Sequence, residues 1–141
     1  MKAVILYRIA SVLFLVFAAG HTFGFLSFKA PTQEGVAVLE SMNTVHFEAG
    51  GRIYSYGGWY RGFGLTITAA FLFQAFLAWR LGTMVSSGAS DAAVLGWALF
   101  AWQIPGIVLA WIYFGPQPMV LSVVVTAVVG AANWLASSAR I

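Results

Sequence analysis

The charged residues of this chain are so few, and so placed, that they leave four long apolar runs between them. Only 8% of the residues are charged and 61% are hydrophobic, whereas soluble domains carry about 25% charged residues. The runs cover residues 9–28, 62–79, 92–114 and 119–136. A helix needs about 20 apolar residues to cross the hydrocarbon core of a bilayer. The sequence therefore predicts an all-α fold: a four-helix transmembrane bundle in one integral membrane domain over residues 1–141.

Composition also excludes several classes of protein. The seven basic residues are scattered along the chain, and nucleic-acid binding needs a concentrated basic face. The chain has no cysteine, which excludes disulfides, thiolate metal sites and cysteine catalysis. Its aromatic content of 16% is too high for a disordered chain.

The first run has some features of a signal peptide, because Lys2 and Arg8 precede it and small residues stand at positions 18–20. A signal peptide has an apolar region of about 7–15 residues, and this run continues for eight residues past Gly20. We therefore interpret it as an uncut span. Four spans place both termini on one side, and the two sides differ by one basic residue, which favours cytoplasmic termini in the inner membrane. The basic residues of the terminal side are Lys2, Arg8, Arg80 and Arg140, and those of the other side are Lys29, Arg52 and Arg61.

The connection between the first two spans, residues 29–61, is long enough to carry function. Its apolar residues Val38, Met42 and Val45 recur at helical spacing, which predicts an amphipathic helix over residues 33–49. We interpret this helix as interfacial, with a functional lid as the alternative. Alternating glycines and aromatic residues follow over residues 53–64. They predict either an aromatic belt with a flexible entry or the rim of a pocket for a flat apolar ligand.

His21 lies inside the first predicted span, which contains no Asp, Glu, Lys or Arg. Ionisable groups are costly in the membrane and usually face the bundle interior. Gly20 and Gly24 bracket it with a spacing that permits close helix approach. His21 lies about 4–5 Å from the midpoint of the first span, toward the long connection, and we expect this face to pack closely against another helix. Two interpretations are open: a neutral histidine hydrogen-bonded to a neighbouring helix, or a cofactor ligand or acid/base group.

Other polar residues also fall inside the spans. Gln103 lies near the middle of the third span, just before Pro105, which kinks a helix and frees a carbonyl. Trp102 lies there as well, away from the interfaces that tryptophan prefers. Gln74 and Asn133 add amides on the second and fourth spans. We predict that these amides form interhelical hydrogen bonds. A further hypothesis is that they converge with His21 in one polar core.

The loop holds a second set of candidate residues, His46 and Glu48. On one helix these two residues would point in nearly opposite directions, so they would not share a ligand unless the helix had ended at the glycines that follow. His46 with His21 is the better pair if the loop helix folds over the bundle. A haem needs two imidazoles, with Arg52 or Arg61 for its propionates, whereas zinc usually has three or four protein ligands. The spacing is not diagnostic of a haem or a metal, so the cofactor stays open and no metal-ligand set is predicted.

Two segments together resemble a group of small bacterial four-span membrane proteins of unassigned function. One is the sequence GHTFG at residues 20–24, and the other is WYRGFGL at residues 59–65. The resemblance covers about half of the chain, and it implies a bacterial multi-pass membrane protein. It supplies no catalytic residues.

Two functional hypotheses follow. The first is a binding or accessory protein that holds a small apolar ligand, a lipid or a partner subunit. The second is a membrane enzyme that uses His21, with His46 or Glu48, as acid/base or cofactor ligand on a lipid-like substrate. Small residues on the first and fourth spans also suit self-association. A transporter is less favoured, because we see no repeat between the two halves of the chain.

Overall fold

The computed structural model describes residues 1–138, which form five α-helices and one two-stranded sheet. Four of the helices, all but the second, are long and apolar enough to cross a membrane. This arrangement confirms the predicted all-α, four-helix transmembrane architecture. In chain order the elements are α1 (Lys2–Leu26), α2 (Gln33–Thr44), β1 (His46–Ala49), β2 (Arg52–Ser55), α3 (Tyr56–Ser86), α4 (Ala92–Tyr113) and α5 (Pro116–Ser138).

Helices α1 and α3 extend beyond the apolar runs that predicted them. The first begins seven residues before the run at residue 9, and α3 has 31 residues where the run has eighteen. Charged residues end a hydrocarbon span without ending a helix, because Lys and Arg are good helix formers and their long side chains reach the interface. At 1.5 Å per residue α3 is about 46 Å long, which exceeds a hydrocarbon core of about 30 Å.

Helix α2 is shorter than the predicted helix over residues 33–49. It begins at Gln33, where the Thr32 side chain caps it by accepting a hydrogen bond from the Gly35 amide at 3.1 Å. It ends at Thr44, and Val45 already has extended backbone angles. The prediction of helix beyond Thr44 is therefore wrong.

A β-hairpin takes the place of the last part of that predicted helix. Strands β1 and β2 pair antiparallel, with Ala49 opposite Arg52 beside the turn. The two residues of the turn, Gly50 and Gly51, have φ angles of 59° and 74°. Two successive positive φ angles are what a tight hairpin turn requires, and glycine adopts them without steric cost. The turn thus fixes the register of the hairpin.

The chain divides into two compact units. The first, which we call the bundle unit, comprises Met1–Phe17 and the chain from Phe71 onward. The second, which we call the loop unit, is Ala18–Ala70 and includes α2, the hairpin and the facing parts of α1 and α3. The buried hydrophobic cluster lies in the bundle unit, where α4 packs along α5. Its members are Tyr7, Ala10, Phe14, Ala75, Ala78, Leu81, Leu99, Val125, Val129 and Ala132.

Polar contacts join α1 to α3 inside the bundle unit. The hydroxyl of Ser11 donates to the carbonyl of Ala75 at 2.7 Å. The guanidinium of Arg8 donates to the carbonyl of Trp79 at 2.9 Å and to the Thr83 hydroxyl at 3.1 Å. It also lies 3.5 Å from the centre of the Trp79 ring. A charge near a membrane boundary is thereby satisfied by a carbonyl, a hydroxyl and an aromatic face.

Candidate functional site

The imidazole of His21 bonds to the backbone of α3. Its Nε2 atom lies 3.0 Å from the carbonyl oxygen of Gly64. A carbonyl oxygen can only accept, so Nε2 carries the proton and donates it. The next residue, Thr22, bonds to the Thr68 hydroxyl at 2.8 Å. Neighbouring polar contacts therefore join this region of α1 to α3. The interpretation of His21 as a neutral histidine hydrogen-bonded to a neighbouring helix requires such a contact.

The close approach at His21 involves a glycine of α3 rather than the glycines beside the histidine. A Cβ atom added at Gly64 would overlap the ring of Phe25, whereas one added at Gly20 or Gly24 would meet nothing within 4 Å. Both of these glycines are exposed. The prediction that the Gly20 and Gly24 face packs against another helix of the chain is therefore wrong. Around α1, Gly20 and Gly24 lie about 100° and 60° from His21, beyond the part of the helix surface that α3 covers.

His21 meets α3 near one end of the apolar run of that helix. Its partner Gly64 lies three residues beyond Arg61 on α3, which is about 4.5 Å along the helix. The run between Arg61 and Arg80 has its midpoint about 10 Å further along the helix. His21 therefore contacts α3 near the charged boundary of the apolar run, where a polar group costs less than it does at mid-membrane.

His46 and Glu48 lie on the hairpin and not on a helix. They are two positions apart on β1, so their side chains point to the same face, and both are exposed. The prediction that they point in opposite directions is wrong, because the helix ends before them. Nδ1 of His46 lies 2.7 Å from the carbonyl of Thr44, whereas His21 bonds to α3. The two imidazoles thus have separate partners.

Arg52 opens β2 opposite Ala49 and is exposed. It lies on the hairpin face away from Glu48 and His46, because adjacent register positions alternate between faces. Over residues 1–138, no three His, Cys, Asp or Glu side chains come together in a way that could hold a metal ion. The haem hypothesis, which needs fewer protein ligands, stays a prediction.

Five aromatic rings form a cluster that joins the hairpin to the start of α3. We call it the aromatic cluster; its members are Phe47, Tyr54, Tyr56, Trp59 and Phe63. The ring centroid of Phe47 lies 4.8 Å from that of Tyr56 and 5.0 Å from that of Trp59. The glycine-rich aromatic segment predicted this concentration of rings. The sequence does not predict the contribution of Phe47, because the predicted helix over residues 33–49 includes that residue.

A shallow apolar groove lies between α2 and the first residue of α3. Its lining residues are Ala37, Val38, Ser41, Met42, Val45 and Tyr56. None of the α2 residues is buried, and the side chain of Val38 is 58% exposed. The predicted apolar face of the loop helix is therefore present, and it is open.

Arg61 adjoins this groove. Its guanidinium donates from Nε to the carbonyl of Gly57 and from a terminal nitrogen to the Asn43 side chain, both at 3.3 Å. Asn43 follows Met42 in sequence, and Gly57 follows Tyr56. A Cβ atom at Gly57 would overlap the Asn43 side chain, so this glycine lets α2 approach α3.

The buried amides of the bundle unit form two separate sets of hydrogen bonds. Nε2 of Gln103 donates to Oε1 of Gln74 at 2.6 Å, and both residues are buried. The amide of Asn133 lies 3.1 Å from the Tyr7 hydroxyl, and its oxygen accepts from Nε1 of Trp97 at 2.9 Å. The predicted interhelical hydrogen bonds of the amides are present. The amides of the bundle unit do not form one shared cluster: the two glutamines pair with each other, and Asn133 has its own partners.

Trp102 stands apart from these contacts. Its side chain is 64% exposed, although it lies near the middle of α4.

Comparison of the chain with known protein families, with curated proteins and with solved structures found no match. The resemblance to small bacterial four-span proteins therefore stays a prediction. The fold itself defines the class: a multi-pass, helical membrane protein in contact with the lipid bilayer.

Proposed function

We propose that this protein is a membrane binding protein whose ligand is an amphiphile with an apolar chain and an anionic head group. The observation that carries the proposal is the open apolar groove between α2 and Tyr56. Burying apolar surface there is favourable by about 25 cal/mol per Å². Because the groove belongs to a connection between two transmembrane helices, membrane amphiphiles are the ligands with ready access to it.

Arg61 supplies the charge complementarity of the proposed site. Its hydrogen-bond partners, a carbonyl and an amide oxygen, are both neutral, so they do not compensate its positive charge. A guanidinium has five N–H donors, which leaves donors for a carboxylate or phosphate beside the groove. Such charge-assisted pairs are stronger than neutral hydrogen bonds.

The positions of the histidines favour binding over catalysis. His21 and His46 lie within hydrogen-bond distance of main-chain carbonyls on different elements, and His46 and Glu48 are exposed, whereas acid/base groups must lie within reach of one bound substrate. An acid/base enzyme that uses His21 with His46 or Glu48 remains the alternative function, and its strongest support is that His46 and Glu48 share one face of the hairpin. We also infer an inner-membrane location with cytoplasmic termini, on the basic residues of the terminal side.

Binding of a long-chain fluorescent fatty acid to the detergent-solubilised protein tests the proposal. Val38→Asp places a charge in the groove, and we expect it to weaken binding about tenfold or more, because an apolar contact is replaced by a carboxylate near the anionic head. Val36→Asp is the matched control, since Val36 is exposed on α2 but does not line the groove. Equal losses in the two variants would contradict the proposal.

The head-group contact is tested separately with Arg61→Gln. We expect the variant to bind the fatty acid about fivefold more weakly and to bind the corresponding fatty alcohol as the wild type does. The alcohol lacks the negative charge, so it isolates the contribution of the groove. A wild-type protein that shows no saturable binding of either probe would overturn the proposed function.

A further inference from the structure

The outer face of α4 is exposed near the middle of the helix. Ala98, Ala101, Trp102 and Pro105 are all exposed, and they lie away from the buried Gln103. The 22 residues of α4 have their midpoint beside Trp102. In a membrane-spanning helix this position is the part of the span that is furthest from water.

A backbone acceptor lies on this face. Pro105 is inside α4 and has no N–H, so the carbonyl of Ala101 lacks its usual donor four residues ahead. Water is absent from the hydrocarbon core, and an unsatisfied backbone group there costs several kcal/mol. Neighbouring helices are a usual source of the missing partner.

A side-chain donor lies beside that acceptor. The indole Nε1 of Trp102 can donate but not accept, and the hydrogen bonds of the described residues give it no acceptor. Most tryptophans of membrane proteins lie at the interfaces, where the N–H reaches water or head groups. Trp102 lies at mid-span, so lipid chains alone leave its N–H unsatisfied.

We propose that this face of α4 binds a second copy of the same chain, with each Trp102 donating to the partner's Ala101. The donor and the acceptor lie at nearly the same depth along α4. At 100° per residue, Trp102 and Pro105 are about 60° apart, with Ala98 between them. A two-fold axis along the membrane normal and beside Ala98 therefore brings each donor to the other acceptor. The small side chain of Ala98 permits close approach at that axis.

Self-complementarity is the reason to choose a second copy over another partner. A two-fold interface uses the same patch on both chains, so it needs a patch that contains both a donor and its acceptor. This face contains one of each. A lipid chain supplies neither.

Energy transfer between two differently labelled pools of the full chain, reconstituted in phosphatidylcholine vesicles at several protein-to-lipid ratios, measures the association. Trp102→Phe keeps an aromatic ring and removes the N–H. We expect it to raise the dissociation constant about fivefold to tenfold, because two symmetric interhelical hydrogen bonds are lost. Pro105→Ala gives the Ala101 carbonyl an internal donor, and we expect a similar loss.

The double variant shows whether the two residues act through one hydrogen bond. We expect Trp102→Phe with Pro105→Ala to bind no more weakly than either single variant, since both changes remove the same contact. Trp111→Phe and Trp134→Phe are matched controls, because both rings are exposed and neither lies on this face, and we expect wild-type association from them. A wild type that stays monomeric at every protein-to-lipid ratio would overturn the proposal. Control variants that weaken association as much as Trp102→Phe would also overturn it. So would a double variant whose loss of association equals the sum of the two single losses.

Discussion

The two units of the chain use polar groups in different ways. In the bundle unit the polar side chains of Gln74, Gln103 and Asn133 are buried, and they bond to one another or to other side chains across helices. In the loop unit the buried residues are Ala18, Gly57 and Gly64, and the polar side chains that form hydrogen bonds are exposed or half-buried. The first pattern fixes how helices pack. The second leaves apolar and aromatic surface open.

This difference separates stability from function along the chain. Membrane helices gain no hydrophobic driving force from packing together, so specific polar contacts and close fit determine their arrangement. The bundle unit contains both features. The loop unit contains an open groove and an aromatic cluster in which Tyr56, Trp59 and Phe63 are exposed, and such apolar surface is a feature of binding sites. We therefore expect substitutions in the bundle unit to change stability, and substitutions in the loop unit to change binding with little effect on stability.

Asn133→Leu is the strongest test of this division. The substitution removes the contacts to Tyr7 and Trp97 and leaves the buried Tyr7 hydroxyl without its partner. We expect the free energy of unfolding in detergent to fall by about 2–3 kcal/mol, because unsatisfied buried polar groups are costly. Asn43→Leu in the loop unit is the matched control; Asn43 is exposed, and we expect a loss below about 1 kcal/mol. Similar losses at both positions would mean that the two units do not differ in this way.

Gly96→Ala tests the close fit of the bundle unit. A Cβ atom at Gly96 would overlap Asn133 and the Tyr7 hydroxyl. Both neighbours are fully buried and cannot move aside easily, so we expect overpacking to lower the free energy of unfolding by about 1–2 kcal/mol. Gly20→Ala is the control in the loop unit. It meets open space, and we expect it to be neutral or to stabilise the helix by up to about 1 kcal/mol. The thermal midpoint should fall for Gly96→Ala, and it should stay the same or rise for Gly20→Ala.

The spans could be predicted because the hydrocarbon core imposes a length and excludes charge, and both properties can be read from the sequence. The hairpin was missed because a short apolar repeat fits a helix nearly as well as a strand. Gly50 and Gly51, flanked by residues such as Val45, Phe47 and Ile53, were the available signal, since a two-glycine turn between such segments is typical of a hairpin.

The candidate site was less accessible to sequence reasoning. The residue types were informative, because His21 and Gln103 stand out in apolar spans. Their partners were not, since the rotation of each helix about its axis decides whether His21 faces Gly64 or a second histidine. The outward direction of Gly20 has the same cause. Periodicity gives the relative angles of residues on one helix, and it does not give the angle between helices.

His21→Leu has the smallest expected effect and separates the two interpretations of this histidine. A membrane interhelical hydrogen bond contributes about 0.6 kcal/mol on average, and we expect the free energy of unfolding to fall by that amount. His21→Gln keeps a donor, so it should restore much of the loss. Neither variant should change the optical spectrum or the metal content of the purified protein. A haem or metal signal in the wild type that both variants abolish would show instead that His21 is a cofactor ligand, because glutamine replaces a donor to a carbonyl far better than it replaces an imidazole ligand.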